Sequence, residues 1–406
     1  MMENNTWKEY RIKDLGDVIT GKTPSKNNPN DWGENMPFVT PTDYKNYGKY
    51  AEKADRNLSK TGLDRLKNKI LPTNSILVTC IGSDMGKVVI NRIPVITNQQ
   101  INSIIPNDEV NSDFLYYRLI SMYETLRIYG GDGTAVPIVN KGDFENIETL
   151  IPPLPEQKAI ASVLSSLDDK IDLLQQQNQT LEALAETLFR QWFIEEAKED
   201  WERSTLGDIA EVKNGKSFKS SDFSDIEFNS YEVVKMGHIE RGGGLKMNPK
   251  KDYISRDMDV SKFILSKGDI IMAMTDMKDN VVILGVPAMI DKDDHYVLNQ
   301  RVARIYLKDQ SKLISNYLLY VQLLNKDFIA ELQTKANSGV QVNLSTETIK
   351  SSEIIIPPLD LQHKVGGQII DIYNKIEINR IQIQTLTKLR DTLLPKLMSG
   401  EVRVKM

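Results

Sequence analysis

The 406-residue sequence has one cysteine, Cys80, and three histidines, His238, His295 and His363. A lone thiol excludes an internal disulfide and any zinc cluster built on cysteines, and three scattered imidazoles argue against a His-rich metal site. The sequence also lacks any apolar run of about 18 residues, the length a membrane-crossing helix needs. Its polar start, Met1 to Tyr10, has no signal-peptide stretch. A cytoplasmic protein with no membrane partner and no metal is the expectation. Positive charge is not in excess either, since the formal net charge is −5, whereas phosphate neutralisation needs Lys and Arg. The acids are concentrated: residues 151–200 hold ten acids and four bases, a net of −6, so the rest of the chain is +1. Near-neutral domains can still present basic loops, although this balance gives no positive support for nucleic acid.

What the sequence does contain is a repeat, the feature to seek first. Ile151-Pro152-Pro153-Leu154 recurs 205 residues later as Ile356-Pro357-Pro358-Leu359, and 14 of the 39 positions 151–189 are identical at that offset. Upstream, Trp7 answers Trp201, Leu15-Gly16-Asp17 answers Leu206-Gly207-Asp208, Gly21-Lys22 answers Gly215-Lys216, and Asn98-Gln99 answers Asn299-Gln300. Pro-Pro followed by an amphipathic stretch can match by chance, but constant spacing through a whole helical segment does not arise that way. The drift of the offset upstream points to a shared scaffold with loops of different length.

After each Ile-Pro-Pro-Leu, apolar residues fall into a 3-4 spacing, a heptad seam. The first runs Ile160, Leu164, Leu167, Ile171, Leu174, Asn178, Leu181, Ala185, Leu188, Trp192; the second Val365, Ile369, Ile372, Ile376, Asn379, Ile383, Leu386, Arg390, Leu393, Leu397. Both helices want a partner. Each seam contains one asparagine, at non-equivalent places. If the helices pair antiparallel about a pseudo-two-fold axis near residue 176, Asn178 and Asn379 fall in one layer and can hydrogen-bond across it, fixing register. The plainer alternative is that each points partly to solvent. The expected pairing set is Leu167, Ile171, Leu174, Asn178, Leu181, Ile376, Asn379, Ile383 and Leu386.

Residues 10–150 and 201–355 read as mixed α/β. Ser75 to Cys80 and Gly86 to Ile90, with Ile270 to Met274 and Asn280 to Leu284 in the second copy, suggest strands, and polar caps at Asn111-Ser112 and Ser315-Asn316 suggest helix starts. Polar loops lie between. Lys22, Thr23, Ser25, Lys26 and Asn27, and Lys216, Ser217 and Lys219, combine phosphate-seeking lysines with groups able to meet base edges; Asn98, Gln99, Asn299, Gln300 and Arg301 are similar. Such loops are more often solvated turns. Catalytic motifs fail on context. Gly16 to Thr23 fits the P-loop letter for letter, yet no apolar strand precedes it and Pro24 to Pro29 cannot open a helix. The Pro-Pro motifs are flanked by Ile151 and Leu154, or Ile356 and Leu359, and cannot hold a flipped adenine. Tyr129 to Gly133 reads as a turn rather than a cofactor loop, and Gly82 to Gly86 lacks the spacing of a serine nucleophile. No nuclease-like cluster of carboxylates and lysine stands out.

Two domains each ending in Ile-Pro-Pro-Leu and a long helix, the first reading Ile151 to Gln157 as Ile-Pro-Pro-Leu-Pro-Glu-Gln, resemble the specificity subunit of type I restriction-modification systems over essentially the whole chain. Gly21-Lys22-Thr23-Pro24, Asn98-Gln99, Ser338-Gly339 and Asn343-Leu344-Ser345 carry the same resemblance; Asp360-Leu361-Gln362, Ser217 and Phe218 depart from the first copy. The resemblance implies an α/β (α+β) chain with a pseudo-two-fold internal repeat. Two mixed target-recognition domains, 1–150 and 201–355, are separated by helical spacers, 151–200 and 356–406, that pair as an antiparallel coiled coil. It implies a non-catalytic subunit that reads a bipartite target in double-stranded DNA, one half-site per domain, with the helices setting the unread gap. It also implies two modification subunits carrying S-adenosylmethionine and methylating adenine at N6, and two restriction subunits using ATP and Mg²⁺, with no cofactor on this chain. The other reading of the residues is a duplicated coiled-coil adaptor that binds protein or RNA.

Overall fold

The computed structural model describes residues 7–25, 27–82, 84–131, 137–246, 249–277, 281–338 and 341–405. Lys26, Ser83, Asp132, Gly133, Asn280 and Gly339 lie outside the described residues. The chain forms two compact units, residues 1–175 with 381–406 and residues 176–380. Each unit takes part of both long helices.

In the first unit a five-stranded sheet runs in the order 16–20, 101–106, 76–79, 88–91, 50–51. Its central strand, Ile76–Thr79, is buried at all four positions, which is why it reads as a continuous apolar run rather than an alternating one. The helix Ser112–Ser121 packs on this sheet. Asn111 caps it by accepting from Phe114 N, and Phe114, Leu115, Tyr116, Tyr117 and Leu119 are buried. A second sheet, 32–33, 57–58, 36–39, 96–97, carries its own small core, and strand Lys8–Arg11 pairs antiparallel with Glu148–Ile151 just before the long helix.

The second unit repeats this plan. The strands 210–214, 302–307, 270–273 and 287–289 match 16–20, 101–106, 76–79 and 88–91 in order, and 202–205 pairs with 353–356 as 8–11 pairs with 148–151. Ser315 caps the helix Asn316–Leu324. The expected strand over 280–284 is corrected. Residues 281–286 are not strand, with a bend at 282–283 and a turn at 284–285, and the strand is Pro287–Met289. The cause is Asp276, whose carboxylate accepts from Val282 N at 2.7 Å, Ile283 N at 2.6 Å and Leu284 N at 3.3 Å. Amides held by a carboxylate are not free to join a ladder.

The first long helix is Leu154–Arg190, 37 residues, or roughly 55 Å at 1.5 Å per residue; it ends in a π-turn, Gln191–Glu195. The second begins at Leu359, passes through a π-turn at Gln362–Gly366 and continues as Gly367–Ser399. Both start just after Pro-Pro, where missing amide protons cost nothing in a first turn. In the first unit the helices run antiparallel, with Ile171, Leu174 and Ile383 buried together and Leu386 packed against them. Each such side chain contributes about 1.5–3 kcal/mol by leaving water. Higher in that seam Arg390 bonds Asp168 at 2.8 Å, which explains a charged residue at a seam position. In the second unit Asn379 Nδ2 donates to Asn178 Oδ1 at 2.8 Å and to Gln177 Oε1 at 2.9 Å, and both asparagines are buried. Leu181 and Ile376 belong to the second unit's main core, as does the half-buried Ile372. Leu167 is half-buried on the first helix.

Candidate nucleic-acid interface

Two bonding frames hold the loops that carry the candidate residues, and they are the same in both units. In the first, Lys22 N donates to Thr97 O at 2.9 Å and Asn98 N to Val39 O at 3.1 Å; in the second, Lys216 N donates to Leu298 O at 2.9 Å and Asn299 N to Val234 O at 3.1 Å. The preceding glycine is required by proximity. A Cβ at Gly21 would lie 2.2 Å from Asn98 O, and one at Gly215 would lie 2.3 Å from Asn299 O, far inside contact distance. The Gly-Lys repeat in the sequence is therefore the trace of a backbone crossing.

Side chains leave these frames in different ways. In the first unit Lys22, Ser25, Asn27 and Gln99 are exposed. Thr23 Oγ1 donates to Gln99 Oε1 at 2.6 Å, joining the two loops into one rim. Asn98 does not belong to that rim. It is buried, its amide donates to Gln100 Oε1 at 2.8 Å and its oxygen accepts from Gln100 N at 3.1 Å, so it holds the turn and presents nothing outward. In the second unit Ser217, Lys219, Gln300 and Arg301 are exposed, while Lys216 and Asn299 are half-buried. Lys216 Nζ donates to Asp259 O at 3.0 Å, and Asn299 Oδ1 accepts from Arg301 N at 3.4 Å. Among the described residues the outward set is thus an amide-hydroxyl rim with Lys22 in one unit and a rim with Lys219 and Arg301 in the other.

Sequence reasoning missed two kinds of residue. Gln157 and Gln362 are the first. Gln157 Nε2 donates to Pro152 O at 2.9 Å and Glu109 O at 3.1 Å while Oε1 accepts from Asn111 N at 2.9 Å. Gln362 repeats all three, to Pro357 O at 2.8 Å, Lys312 O at 2.8 Å and from Ile314 N at 3.1 Å. Their identity at the 205-residue offset was the available signal. The second is Lys49, buried in the first unit between recognition sheet and helices. Its Nζ lies 2.6 Å from Asp113 and 2.7 Å from Ser165 Oγ, with the Tyr117 ring centroid at 4.7 Å. Tyr117 in turn donates to Asp168 Oδ2 at 2.5 Å; burial first, then the Asp168 charge, pushes its phenol well above the ordinary range. No motif marks Lys49. Among the described residues no group of three or more His, Cys, Asp or Glu is placed to hold a metal ion, and no helix is long and apolar enough to cross a membrane.

Two copies of one α/β recognition fold, each presenting a polar rim on a shared backbone frame and each mounted on paired long helices, define a duplicated recognition protein. The sequence matches the type I restriction modification DNA specificity domain twice, over residues 4–183 and 198–388, and the chain belongs to that family. It is the DNA specificity subunit of a type I restriction-modification system. It is 29% identical to the type I restriction enzyme MjaIX specificity subunit of Methanocaldococcus jannaschii, over 98% of this chain and 94% of that one. It is 40% identical over 148 residues to the type I restriction enzyme HindI specificity subunit of Haemophilus influenzae, a stretch that is 36% of this chain and 32% of that one. The crystal structure of the type I restriction-modification S subunit from M. genitalium shares the fold, with a TM-score of 0.60 at 20% identity over 98% of this chain and 97% of that one.

Proposed function

We propose that Lys22, Thr23, Ser25, Lys26, Asn27 and Gln99 in the first domain, and Lys216, Ser217, Lys219, Asn299, Gln300 and Arg301 in the second, meet double-stranded DNA, one half of a split target to each domain. The observation that carries this reading is the pair of backbone frames with matching hydrogen bonds and divergent side chains. A fixed frame with variable outward groups is what two readers of different base sequences need, since phosphate contacts position a protein and base-edge contacts specify. The lysines and Arg301 supply the first kind of contact; Thr23, Ser25, Asn27, Gln99, Ser217 and Gln300 have donors and acceptors for the second.

The chain acts in the cytoplasm as a non-catalytic member of a complex. Two modification subunits bring S-adenosylmethionine and adenine-N6 methylation, and two restriction subunits bring ATP- and Mg²⁺-dependent cleavage. Supporting two equivalent partners is an exposed stripe that the fold does not require. Thr180, Leu184 and Thr187 in the second unit are exposed and identical at the repeat offset to Thr385, Leu389 and Thr392 in the first. Their hydroxyls bond back into their own helices, to Gln176 O, Ala183 O, Ile381 O and Lys388 O, and Leu184 and Leu389 are 46% and 44% exposed. Repeated apolar groups left in water suit repeated partner helices.

The test is a genome-wide map of N6-methyladenine in the host with and without this gene. Loss of one split motif, two specified blocks around a fixed gap, is the expected result. If no motif is lost while the modification subunit is active, the DNA reading fails and the duplicated coiled-coil adaptor replaces it.

A further inference from the structure

The first rim stands on a segment that the second unit does not build. The loop from Gly21 to Asp31 is strapped at both ends by residues 59–69. At its start, Lys69 Nζ donates to Thr20 O at 3.0 Å. At its end, Ser59 N donates to Asp31 O at 2.9 Å and Ser59 Oγ to Asn30 O at 2.6 Å, and Arg65 pairs with the buried Asp31 at 3.0 Å. Ser59 also caps the helix Lys60–Arg65 by accepting from Gly62 N, and the helix lies so close that a Cβ at Gly62 would stand 2.2 Å from Asp31 O. A 3-10 turn, Lys67–Lys69, follows. Leu66 is buried, and Leu63 and Ile70 pack beside it, in the small core of the 36–39 sheet. That 3-4 spacing turns Lys60, Asp64, Lys67 and Asn68 outward, where all four are exposed.

This stretch is cationic in an acidic chain. Residues 60–69 hold four bases, Lys60, Arg65, Lys67 and Lys69, and one acid, Asp64, whereas the whole chain carries −5. Arg65 is engaged by Asp31 and Lys67 by Asp64 at 3.2 Å, the second an exposed pair of little worth in water. Lys69 uses one of its three donors on Thr20 O and is half-buried. Lys60, like Lys22, is exposed and paired with no acid among the described residues. The second unit matches the turn but not the charge. Its 3-10 turn, Ser261–Phe263, lies 194 residues on, the offset that also relates Lys22 to Lys216. A lysine again ties this segment to the rim strand, but from the other side: Lys216 Nζ donates to Asp259 O at 3.0 Å. The tie therefore occupies the rim lysine in the second unit and leaves that of the first pointing outward. Residues 254–260 are strand, turn and bend where the first unit has its helix, and 254–263 hold two bases, Arg256 and Lys262, against two acids, Asp257 and Asp259.

We propose that residues 60–69 form a phosphate-binding wall of the first recognition domain: Lys60, Lys67 and Lys69 meet the DNA backbone beside the bases read by Thr23, Ser25, Asn27 and Gln99, and the second domain has no such wall. Contacts of this kind fix a protein's place on the duplex and carry no base information themselves. The dense phosphate charge of a duplex displaces the single, solvent-screened carboxylate of Asp64 from Lys67. The inference deepens the DNA reading of the first rim and rests on it. Its consequence is an unequal division of labour, in which the counterion-release part of binding, and with it the salt sensitivity, is weighted toward the first half-site.

The experiment uses the full chain assembled with its modification subunits and two DNA duplexes, one bearing the split motif that the complex methylates and one with that motif scrambled, titrated across a range of KCl. Lys60→Gln with Lys67→Gln should lower the slope of log affinity against log salt by about 2, weaken binding to both duplexes by the same factor and leave the methylated motif unchanged. Lys60→Arg with Lys67→Arg should keep the wild-type slope. An unchanged slope in the Gln pair, in a complex that still methylates its motif, overturns the wall and leaves the DNA role of the rims standing. Lost discrimination at one base, or weaker capture of the modification subunit, also overturns it, since the lysines then read bases or hold protein. If the wild-type complex binds both duplexes equally at every salt concentration, the DNA reading of the rims fails and this inference with it. Loss of the slope in the Arg pair as well as the Gln pair, with a lowered melting temperature, assigns the lysines to folding and overturns the proposal.

Discussion

The two units solve one packing problem with different chemistry. Each must fix a recognition sheet to paired helices. The first does so with ions: Lys49 between Asp113 and Ser165, and Tyr117 on Asp168, which also binds Arg390. The second does so mainly with rings, Tyr317 and Tyr320 on Tyr373, beside one ion pair, Lys267 with Glu377. Asp168 and Tyr373 occupy the same place in the repeat. What has not drifted is bonding to the backbone, through Gln157 and Gln362 and through the Gly21 and Gly215 crossings. Side-chain layers can be exchanged whole, whereas a buried main-chain group must be satisfied wherever it occurs, and that asymmetry decides which repeat positions stay identical.

Breaking the layers should separate the units most. Lys49→Met strips the cation from a buried site beside Asp113 and should cost about 3 kcal/mol, whereas Tyr373→Leu, which removes ring contacts but strands no charge, should cost roughly 1 kcal/mol beyond lost area; urea unfolding of the two variants measures the difference. Breaking the shared frame should instead show no difference. Gln157→Leu and Gln362→Leu each leave two carbonyls and one amide unpaired, and each should cost about 2 kcal/mol, with similar shifts in the urea midpoint.

The asparagine layer tests register. Asn379→Leu leaves Asn178 buried without its donor and should cost about 1–2 kcal/mol, while the double change to leucine should recover most of it, a coupling that a double-mutant cycle reads directly. The smallest effect is expected in acid and only in the second unit. Burial of Glu232 opposes its charge, but bonds from His238 and His295, and Lys251 beside it, outweigh burial and hold the carboxylate well below its ordinary range. A depressed folded value means stability that is complete above the unfolded value of about 4.3 and is lost as pH falls through the folded one. Glu232→Gln should therefore flatten the acid limb of a melting-temperature profile below about pH 4, and an unchanged limb would contradict this.

Much of the architecture was legible because it rests on local rules. The Pro-Pro helix starts, the caps at Asn111 and Ser315 and the 3-4 seams follow from sequence spacing, and the offset arithmetic that put Asn178 and Asn379 in one layer leads to the atoms that bond. Three things were not legible. The strand expected at 280–284 lost its amides to Asp276, a side-chain capture with no periodic signature. Asn98 looked like a base-reading amide, yet the same letters build a turn that hides it. Lys49 sits in an unremarkable polar stretch, and only the fold brings Asp113, Ser165 and the tyrosines around it. The partition of each long helix between two units is likewise a tertiary outcome: Ile160, Leu164 and Leu397 are buried in the first unit's core and Ala185, Val365 and Ile369 in the second's.

The account's central claim, that each domain reads its own half of one split target, is tested most directly by mapping N6-methyladenine in a host whose chain carries Lys219→Ala and Arg301→Ala in the second rim only. The account predicts a motif in which one specified block is relaxed while the other block and the length of the gap are unchanged. Changes in both blocks, or in the gap alone, would contradict it.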